Sequence, residues 1–399
     1  MNLNNAFVQI LDEFQAIFGR RYPEFVYGGK FPGKIQEVPV FVFHSIRPEV
    51  FERQLIYLHE NNYNTITSEE YYEWSVRKVS IPEKSILLAI DDGVESVWQY
   101  GYPLLKKYGF RAVVFVIPGY IRSRSKYYCN LSDKWEGQCD REEVEQRESG
   151  YYNLMYWEEL IEAENAGVLD IQSHSLYHHQ VFQDDMVQGF FIPDGRQSFY
   201  DWVLPDGFEK HVNAGDIENY AGMPLYRSDA IFRTNRQYLD NDELRLEFVD
   251  LFKRLGGVNF YTDEKGAGKV LMKEFIRMKS SHPKGHCISG DAARDKILEN
   301  LASAKSLLEN KLGKQVEHLC YPYSLYSEET IELSMKAGYK TNFIGTYAGR
   351  RSNTASDDPM HTVRVKSDFI LTLPGKNRAT IYSVLANKAR YRLKGEKYL

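Results

Sequence analysis

The sequence predicts an α/β protein whose core is a distorted (β/α) barrel of parallel strands. Short apolar runs alternate with amphipathic segments of helical periodicity, which is typical of a parallel sheet covered by helices. Several apolar runs end directly in polar residues, and a barrel gathers the carboxyl ends of its strands at one rim. An open, doubly wound sheet is the alternative, although no glycine-rich nucleotide loop follows any run.

Composition limits the kinds of protein to be considered. The 399 residues, 43% of them hydrophobic, can bury one large domain or two smaller ones. The net charge of −5 gives no electrostatic footprint for nucleic acid. We find no apolar stretch long enough to cross a bilayer and no signal peptide, and the four cysteines contain no Cys-x-x-Cys pair. We therefore expect a cytoplasmic protein with reduced thiols, although a Cys129–Cys139 bridge is compatible with the sequence.

The first part of the chain alternates strands and helices. Residues 1–35 begin with helical spacing and are expected to form a cap before a barrel of residues 36–366. Strands are expected at residues 38–43, 86–90, 112–117 and 169–172. Helices are expected at residues 51–61, 68–74, 97–108 and 155–166. Ser68, with Glu70 nearby, is the predicted N-cap of the second helix.

The alternation breaks between about residues 180 and 290. This stretch contains aromatic and Pro/Gly-rich loops (190–208 and 220–232) and two helical segments (242–255 and 269–278). We expect a large insertion over the carboxyl ends of the strands, forming part of a substrate cleft, or alternatively a separately folding domain.

Strands and helices resume after the insertion and lead to a basic C-terminus. Helices are expected at residues 292–312 and 328–337, and strands at residues 317–320 and 341–344. Residues 367–399 form a basic tail. The tail is expected to be a solvated helix or to make a peripheral contact with an anionic membrane surface or a phosphorylated substrate.

Two of the predicted strands end in residues that bind metals. Asp91 and Asp92 end one strand, and His174 and His178 follow another. Catalytic zinc takes three protein ligands and leaves a position for water. Asp92, His174 and His178 supply one carboxylate and two imidazoles, with His179 as a competing ligand if the loop is extended.

Asp91 can serve a different purpose from its neighbour. Adjacent residues at a strand end point in different directions, so Asp91 could act as a general base beside a ligand Asp92. A bound divalent ion would polarise a scissile carbonyl and lower the pKa of water. Asp-Asp-Gly is also a common turn and histidines often fill cores, but both motifs at strand ends favour a metal-assisted hydrolase.

These motifs resemble the signatures of the polysaccharide deacetylases, the NodB-type group or carbohydrate esterase family 4. Residues 89–93 with 108–116 resemble the first signature, residues 173–178 the second and residues 321–324 the third. The order agrees over roughly residues 36–366. The resemblance implies a TIM-like barrel that removes N-acetyl, or sometimes O-acetyl, groups from sugars with a divalent ion, most simply zinc, with cobalt, nickel or iron as alternatives.

The resemblance also implies a role for each matching residue. Asp91 would be the base, Asp92, His174 and His178 would hold the metal, and the backbone N–H of Tyr323 would stabilise the oxyanion. The sequence departs from the family at two positions, which concern a brace for the base and the general acid.

The third signature usually starts with an arginine that braces the base, and here Cys320 and Tyr321 stand there. Arg364 is the candidate replacement, unless it is a surface charge. The usual late histidine is also absent, but residues 40–43 end at His44, as in a branch of the family that carries this strand at the front of the domain. His44 is therefore the predicted general acid, with a loop cap as the alternative.

The predicted function is a cytoplasmic deacetylase that acts on an N-acetylated saccharide. A sugar-linked precursor of a surface polysaccharide is the expected substrate. A related amide or O-acetyl ester hydrolase is one alternative, and a saccharide-binding protein without catalysis is another.

Overall fold

A computed structural model describes residues 15–28, 36–125, 127–147, 153–193, 220–346 and 352–393 of the chain. Three predictions fall partly outside these residues. They concern parts of the N-terminal cap (1–14 and 29–35), the middle of the insertion (194–219) and the end of the basic tail (394–399).

Seven parallel strands form the barrel. They are β1 (Val40–Phe43), β2 (Ser85–Asp92), β3 (Ala112–Val116), β4 (Leu169–Ser173), β5 (His318–Cys320), β6 (Thr341–Thr346) and β7 (Thr362–Lys366). Each strand pairs in parallel with the next in chain order, and β7 pairs back with β1, which also pairs with β2. The sheet is therefore closed, which confirms the predicted barrel and excludes the open doubly wound sheet.

Helices connect the strands and build the insertion. They are α1 (Pro48–Glu60), α2 (Ser68–Arg77), α3 (Tyr102–Tyr108), α4 (Leu131–Trp135), α5 (Arg141–Glu145), α6 (Trp157–Asn165), α7 (Asp242–Arg254), α8 (Gly257–Asp263), α9 (Ala267–Lys279), α10 (Asp291–Leu312), α11 (Glu328–Lys336) and α12 (Ile381–Leu393). Thr67, rather than the predicted Ser68, is the N-cap of α2, and its side chain forms a capping box with Glu70. A π-helical turn at Val97–Gly101 precedes α3, within the helix predicted at residues 97–108.

Side chains of the barrel strands alternate between two apolar cores. Leu87 and Ala89 of β2 belong to the core inside the barrel, which also contains Trp74 of α2. Ile86, Leu88 and Ile90 belong to the core between the strands and the surrounding helices. Because alternate residues of a strand share a face, Asp91 continues the inward row of Leu87 and Ala89.

Strand β7 was missing from the strands predicted by the sequence. Its residues Thr362–Lys366 alternate, with Val365 in the outer core and Arg364 buried on the opposite face. A charged residue on an inward face hides the apolar pattern by which a buried strand is recognised. The missed strand is the one that closes the barrel, since it pairs with β1.

The insertion between β4 and α10 has a folded core of its own. An antiparallel hairpin of Gln180–Phe190 and Pro224–Ala230 and a second pair, Arg236–Leu239 with His286–Ser289, accompany α7, α8 and α9. The interpretation of residues 220–232 as a loop was therefore wrong for 224–230, because Pro224 only begins a strand that then alternates. Phenylalanines dominate this core, including Phe190, Phe248, Phe252 and Phe275.

The insertion also packs against the loops at one side of the barrel rim. Phe191, Met223 and Val249 of the insertion share an apolar cluster with Ile117 and Tyr120, which follow β3. The insertion therefore borders the rim at which the strands end.

The segment predicted as a basic tail is docked on the barrel where the structure describes it. Lys388 of α12 is 2% exposed and lies 2.5 Å from Asp368. Arg378 donates to the carbonyl oxygens of Gly28 and Phe25. Within the described ranges, no helix has the length and apolar character that a membrane span requires.

Candidate active site at the carboxyl rim of the barrel

The structure brings the three predicted metal ligands together at the carboxyl ends of β2 and β4. Nε2 of His174 lies 3.4 Å, and Nε2 of His178 3.7 Å, from Oδ1 of Asp92. All three side chains are buried, and the two imidazole rings are 4.9 Å apart. The carboxylate and both imidazoles therefore face a common point.

This convergence depends on unusual backbone conformations. Asp92, Ser175 and His178 have φ angles of 71°, 67° and 54°, in the left-handed region that non-glycine residues seldom adopt. The Ser175 hydroxyl accepts a hydrogen bond from the His178 N–H at 3.1 Å, which stabilises the turn between the two imidazoles. Such strain persists only where the surrounding structure fixes the chain, and it is common at functional sites.

Hydrogen bonding fixes how His174 faces Asp92. Its Nδ1 lies 2.8 Å from the carbonyl oxygen of Cys320, and because a carbonyl only accepts, Nδ1 must carry the proton. Nε2 then faces Asp92. Metal-binding histidines are commonly oriented by this kind of hydrogen bond.

Asp92 has the features expected of a metal ligand. Its Oδ1 atom is buried and accepts no hydrogen bond from any residue that the structure describes. Burial alone would raise the pKa of Asp92, but His174 and His178 hold it below its ordinary value. An ionised, buried carboxylate oxygen beside two imidazoles fits a divalent cation such as zinc.

His179 lies outside the cluster of ligands. Within the described parts of the chain, the groups that could hold an ion are Asp92–His174–His178 and Asp91–His174–Cys320. The structure therefore favours His178 over His179 as the second imidazole.

Asp91 lies next to the ligand cluster, inside the barrel, and is paired with Arg364. Nη1 of Arg364 donates to Oδ1 at 2.8 Å and to Oδ2 at 2.7 Å. Nε of Arg364 donates to the Ile344 carbonyl at 3.0 Å. Burial alone would raise the pKa of Asp91, but Arg364, followed by His174 and His44, lowers it, so the carboxylate stays ionised near neutral pH.

The structure shows how the chain departs from the third signature. Arg364 reaches the candidate base from β7 and is 2% exposed, so it is not a surface charge. Cys320 occupies the place expected for arginine and is fully buried, with Sγ 3.6 Å from Oδ1 of Asp91. Burial raises the pKa of the Cys320 thiol, with Asp91 contributing in the same direction.

His44 lies on the open side of the same carboxylate. Its Nε2 atom is 3.9 Å from Oδ2 of Asp91, and its side chain is 46% exposed. The imidazole follows β1 directly, so it stands at the rim where solvent and a substrate can reach it. Its predicted role as general acid is compatible with this position.

Tyr323 borders the metal-ligand cluster. Its ring centroid lies 4.4 Å from that of His178, and its hydroxyl donates to the His178 carbonyl at 3.3 Å. Tyr323 and Ser324 both have left-handed backbone conformations, with φ of 57° and 58°. Gly345 permits this turn, because a Cβ there would lie 2.5 Å from the Cβ of Ser324.

Sequence reasoning missed the residues that support these groups. Ser175 holds the turn between the histidines, and the Asn300 side chain accepts a hydrogen bond from Leu176 N–H at 3.1 Å. The contact between Cys320 and Asp91 was missed as well. Only the alternation of inward-facing residues along β5 could have indicated this contact. That strand has three residues, which are too few to show the alternation.

Comparisons with known proteins find partial matches to this chain. Residues 78–189 match the family model described as polysaccharide deacetylase. A putative polysaccharide deacetylase, YxkH, of Bacillus subtilis is 34% identical over 92 residues, which are 21% of this chain and 33% of that protein. A poly-beta-1,6-N-acetyl-D-glucosamine N-deacetylase of Staphylococcus aureus is 27% identical over 93 residues, 23% of this chain and 32% of that protein.

The chain therefore matches about a third of the length of these curated relatives. Among solved structures, a de-N-acetylase from Aggregatibacter actinomycetemcomitans has a TM-score of 0.48 and 14% identity, over 88% of this chain and 100% of that one. The family match spans the candidate base and all three candidate metal ligands. Residues 78–189 of the chain are therefore similar to the polysaccharide deacetylase family.

Proposed function

We propose that this protein is a metal-dependent deacetylase that hydrolyses the N-acetyl amide of a sugar. The observation that carries the proposal is the buried Oδ1 of Asp92, which faces two imidazoles and has no hydrogen-bond donor among the described residues. An ionised carboxylate braced by an arginine lies directly beside it. This is the arrangement that metal-assisted amide hydrolysis requires.

Asp92, His174 and His178 would hold the ion, most simply zinc. When bound, a divalent ion polarises the acetyl carbonyl and makes water more acidic. Asp91 accepts a proton from the attacking water, and Arg364 keeps that carboxylate ionised and in place.

The remaining residues act on the tetrahedral intermediate and its breakdown. The backbone N–H of Tyr323 donates to the oxyanion. His44, which is exposed beside Asp91, donates a proton to the departing amine. Acetate and a free amino sugar are the products.

The Staphylococcus relative is named for poly-beta-1,6-N-acetyl-D-glucosamine. Oligomers of N-acetylglucosamine are therefore the first substrates to test. The cytoplasmic location and a sugar-linked precursor as substrate also remain proposals. A panel of free oligomers, nucleotide-linked sugars and O-acetylated sugars, together with cell fractionation, tests both.

The decisive experiment measures acetate release by the purified chain. We expect activity with zinc, cobalt, nickel or iron, loss after chelation and recovery when the ion is restored. Asp91→Asn should be inactive under all of these conditions, whereas Cys287→Ala, at an exposed position of the insertion, should match the unaltered protein. Acetate release that survives complete chelation would contradict the proposal.

A further inference from the structure

The thiol of Cys320 touches the candidate base but has no place in the mechanism above. Cys320 ends β5 and shares the interior core with Ala89 and Phe115. Its carbonyl oxygen orients His174 at 2.8 Å, a contact that any residue at this position could make. Its Sγ atom lies 3.6 Å from Oδ1 of Asp91, a contact that depends on the side chain.

Arg364 alone holds Asp91 loosely. Both carboxylate oxygens receive hydrogen bonds from the same nitrogen, Nη1, at 2.8 and 2.7 Å. The second terminal nitrogen, Nη2, is directed to Ser324 at 3.5 Å. A paired, two-nitrogen contact would fix the plane of the carboxylate, whereas a contact through one nitrogen lets the carboxylate rotate about it.

The thiol distinguishes the two oxygens of Asp91. A neutral thiol has one weak donor, and the acceptors within reach are Oδ1 of Asp91 at 3.6 Å and the Tyr321 carbonyl at 3.9 Å. The carboxylate is both closer and charged, so it is the better acceptor. Oδ2, in contrast, faces the exposed imidazole of His44 at 3.9 Å.

We propose that the Cys320 thiol donates a hydrogen bond to Oδ1 of Asp91 and so reserves Oδ2, on the side of His44, as the oxygen that accepts the proton of the attacking water. Cys320 is thus a positioning residue for the base, and the identity of the reactive oxygen rests on the function proposed above. The thiol of Cys320 partly replaces the second hydrogen bond that Asp91 would receive if both terminal nitrogens of Arg364 donated to it.

Kinetic measurements test the consequence for catalysis. Cys320→Ala should lower kcat about three- to tenfold with little change in KM or bound metal, because the backbone carbonyl that orients His174 remains. Cys320→Ser, which restores a donor, should recover most of the loss. Equal kcat for the alanine variant and the unaltered protein, or a serine variant no better than alanine, would overturn the proposed role.

An infrared experiment tests the hydrogen bond without any substrate. Subtracting the spectrum of Cys320→Ser from that of the unaltered protein isolates the S–H stretching band of Cys320. The same subtraction is then made between Asp91→Asn and the double variant Asp91→Asn, Cys320→Ser. We expect the band to lie below that of the exposed Cys287, isolated with Cys287→Ala, and to move upward when Asp91 loses its charge.

The two proposals fail in different ways. A Cys320 band that does not respond to Asp91→Asn overturns the hydrogen bond, whatever the protein does to sugars. A band that responds in a protein that releases no acetate leaves the hydrogen bond in place and rejects the deacetylase.

Discussion

The two ends of the barrel each hold an aspartate and a histidine that are largely shielded from solvent, but the hydrogen-bond partners of these residues differ. At the amino-terminal end, Asp170 accepts hydrogen bonds from the Ser68 N–H at 3.0 Å and from Lys314 and Gln172, both at 2.8 Å. His318 contacts Thr341 at 2.8 Å and Glu69 at 3.2 Å. Both polar groups are supplied with partners from the protein itself.

At the carboxyl end, one oxygen of the corresponding aspartate lacks such a partner among the described residues. Oδ1 of Asp92 accepts no hydrogen bond from the described residues, and His174 directs Nε2 toward it. A buried charge that is saturated with donors contributes to stability, whereas one that is left unsatisfied costs stability until a ligand binds. The comparison therefore assigns stability to one end of the barrel and ligand binding to the other, as in other parallel barrels.

Removing the unsatisfied carboxylate should have the largest effect on activity and little on folding. In Asp92→Asn, we expect bound zinc to be lost and acetate release to fall by more than about 10²-fold, because the negative ligand is absent. The unfolding free energy without metal should not fall, because a buried oxygen that no donor satisfies costs stability until an ion binds. Metal analysis checks the loss of zinc, and urea unfolding checks the stability of the apo-protein. A strongly destabilised apo-protein would contradict the assignment of this end of the barrel to ligand binding.

Removing the saturated carboxylate should give the opposite result. Asp170→Ala should lower the unfolding free energy by about 2–3 kcal/mol. Breaking a fully buried ion pair typically costs about 3–5 kcal/mol. Lys314 keeps a second partner, Glu164, at 2.7 Å and is partly exposed, which limits the loss. Zinc content at 25 °C should be unchanged, and a variant that folds normally but loses zinc would contradict the assignment.

A close contact next to the candidate metal ligands should affect both stability and zinc binding. A Cβ on Gly119 would lie 2.3 Å from the ring of Tyr177 and 2.5 Å from the carbonyl oxygen of Leu176, in the loop between His174 and His178. Gly119→Ala should therefore cost about 1–3 kcal/mol by overpacking and also weaken zinc binding.

Gly189→Ala provides the control, because a Cβ there meets no atom within 4 Å. Thermal unfolding with and without zinc should separate the two variants. Equal zinc-dependent stabilisation in both would show that the loop does not position the ligands.

The smallest expected effect is a change in the acid dependence of stability. Burial alone would raise the pKa of Asp170, but Lys314, followed by His318 and Ser68, holds it well below the ordinary value. Its stabilising contribution is therefore complete above the unfolded pKa of about 3.9 and is lost as the pH falls below it. Between about pH 4 and 2, Asp170→Asn should lose stability less steeply than the unaltered protein in urea unfolding, and parallel curves would refute this.

Local patterns were sufficient to predict which candidate site residues converge where those residues follow a strand. The apolar run that ends at Asp91 and the run before His174 mark two strand ends, and parallel strands bring such ends to one rim. These patterns could not place Arg364, because its strand was recognised only from pairing with β1 and β6. The strand Pro224–Ala230 was missed for a related reason, since its partner strand, Gln180–Phe190, is distant in sequence.

The contact between β2 and the last barrel strand, β7, has a consequence for synthesis on the ribosome. The Asp91–Arg364 pair joins residues 273 positions apart, so a nascent chain carries an uncompensated acid until β7 emerges. Contacts of such long range form late and slow folding. A chain that stops before Thr362 should therefore remain protease-sensitive in translation-arrest experiments, and release of β7 from the exit tunnel should be the step that makes it resistant.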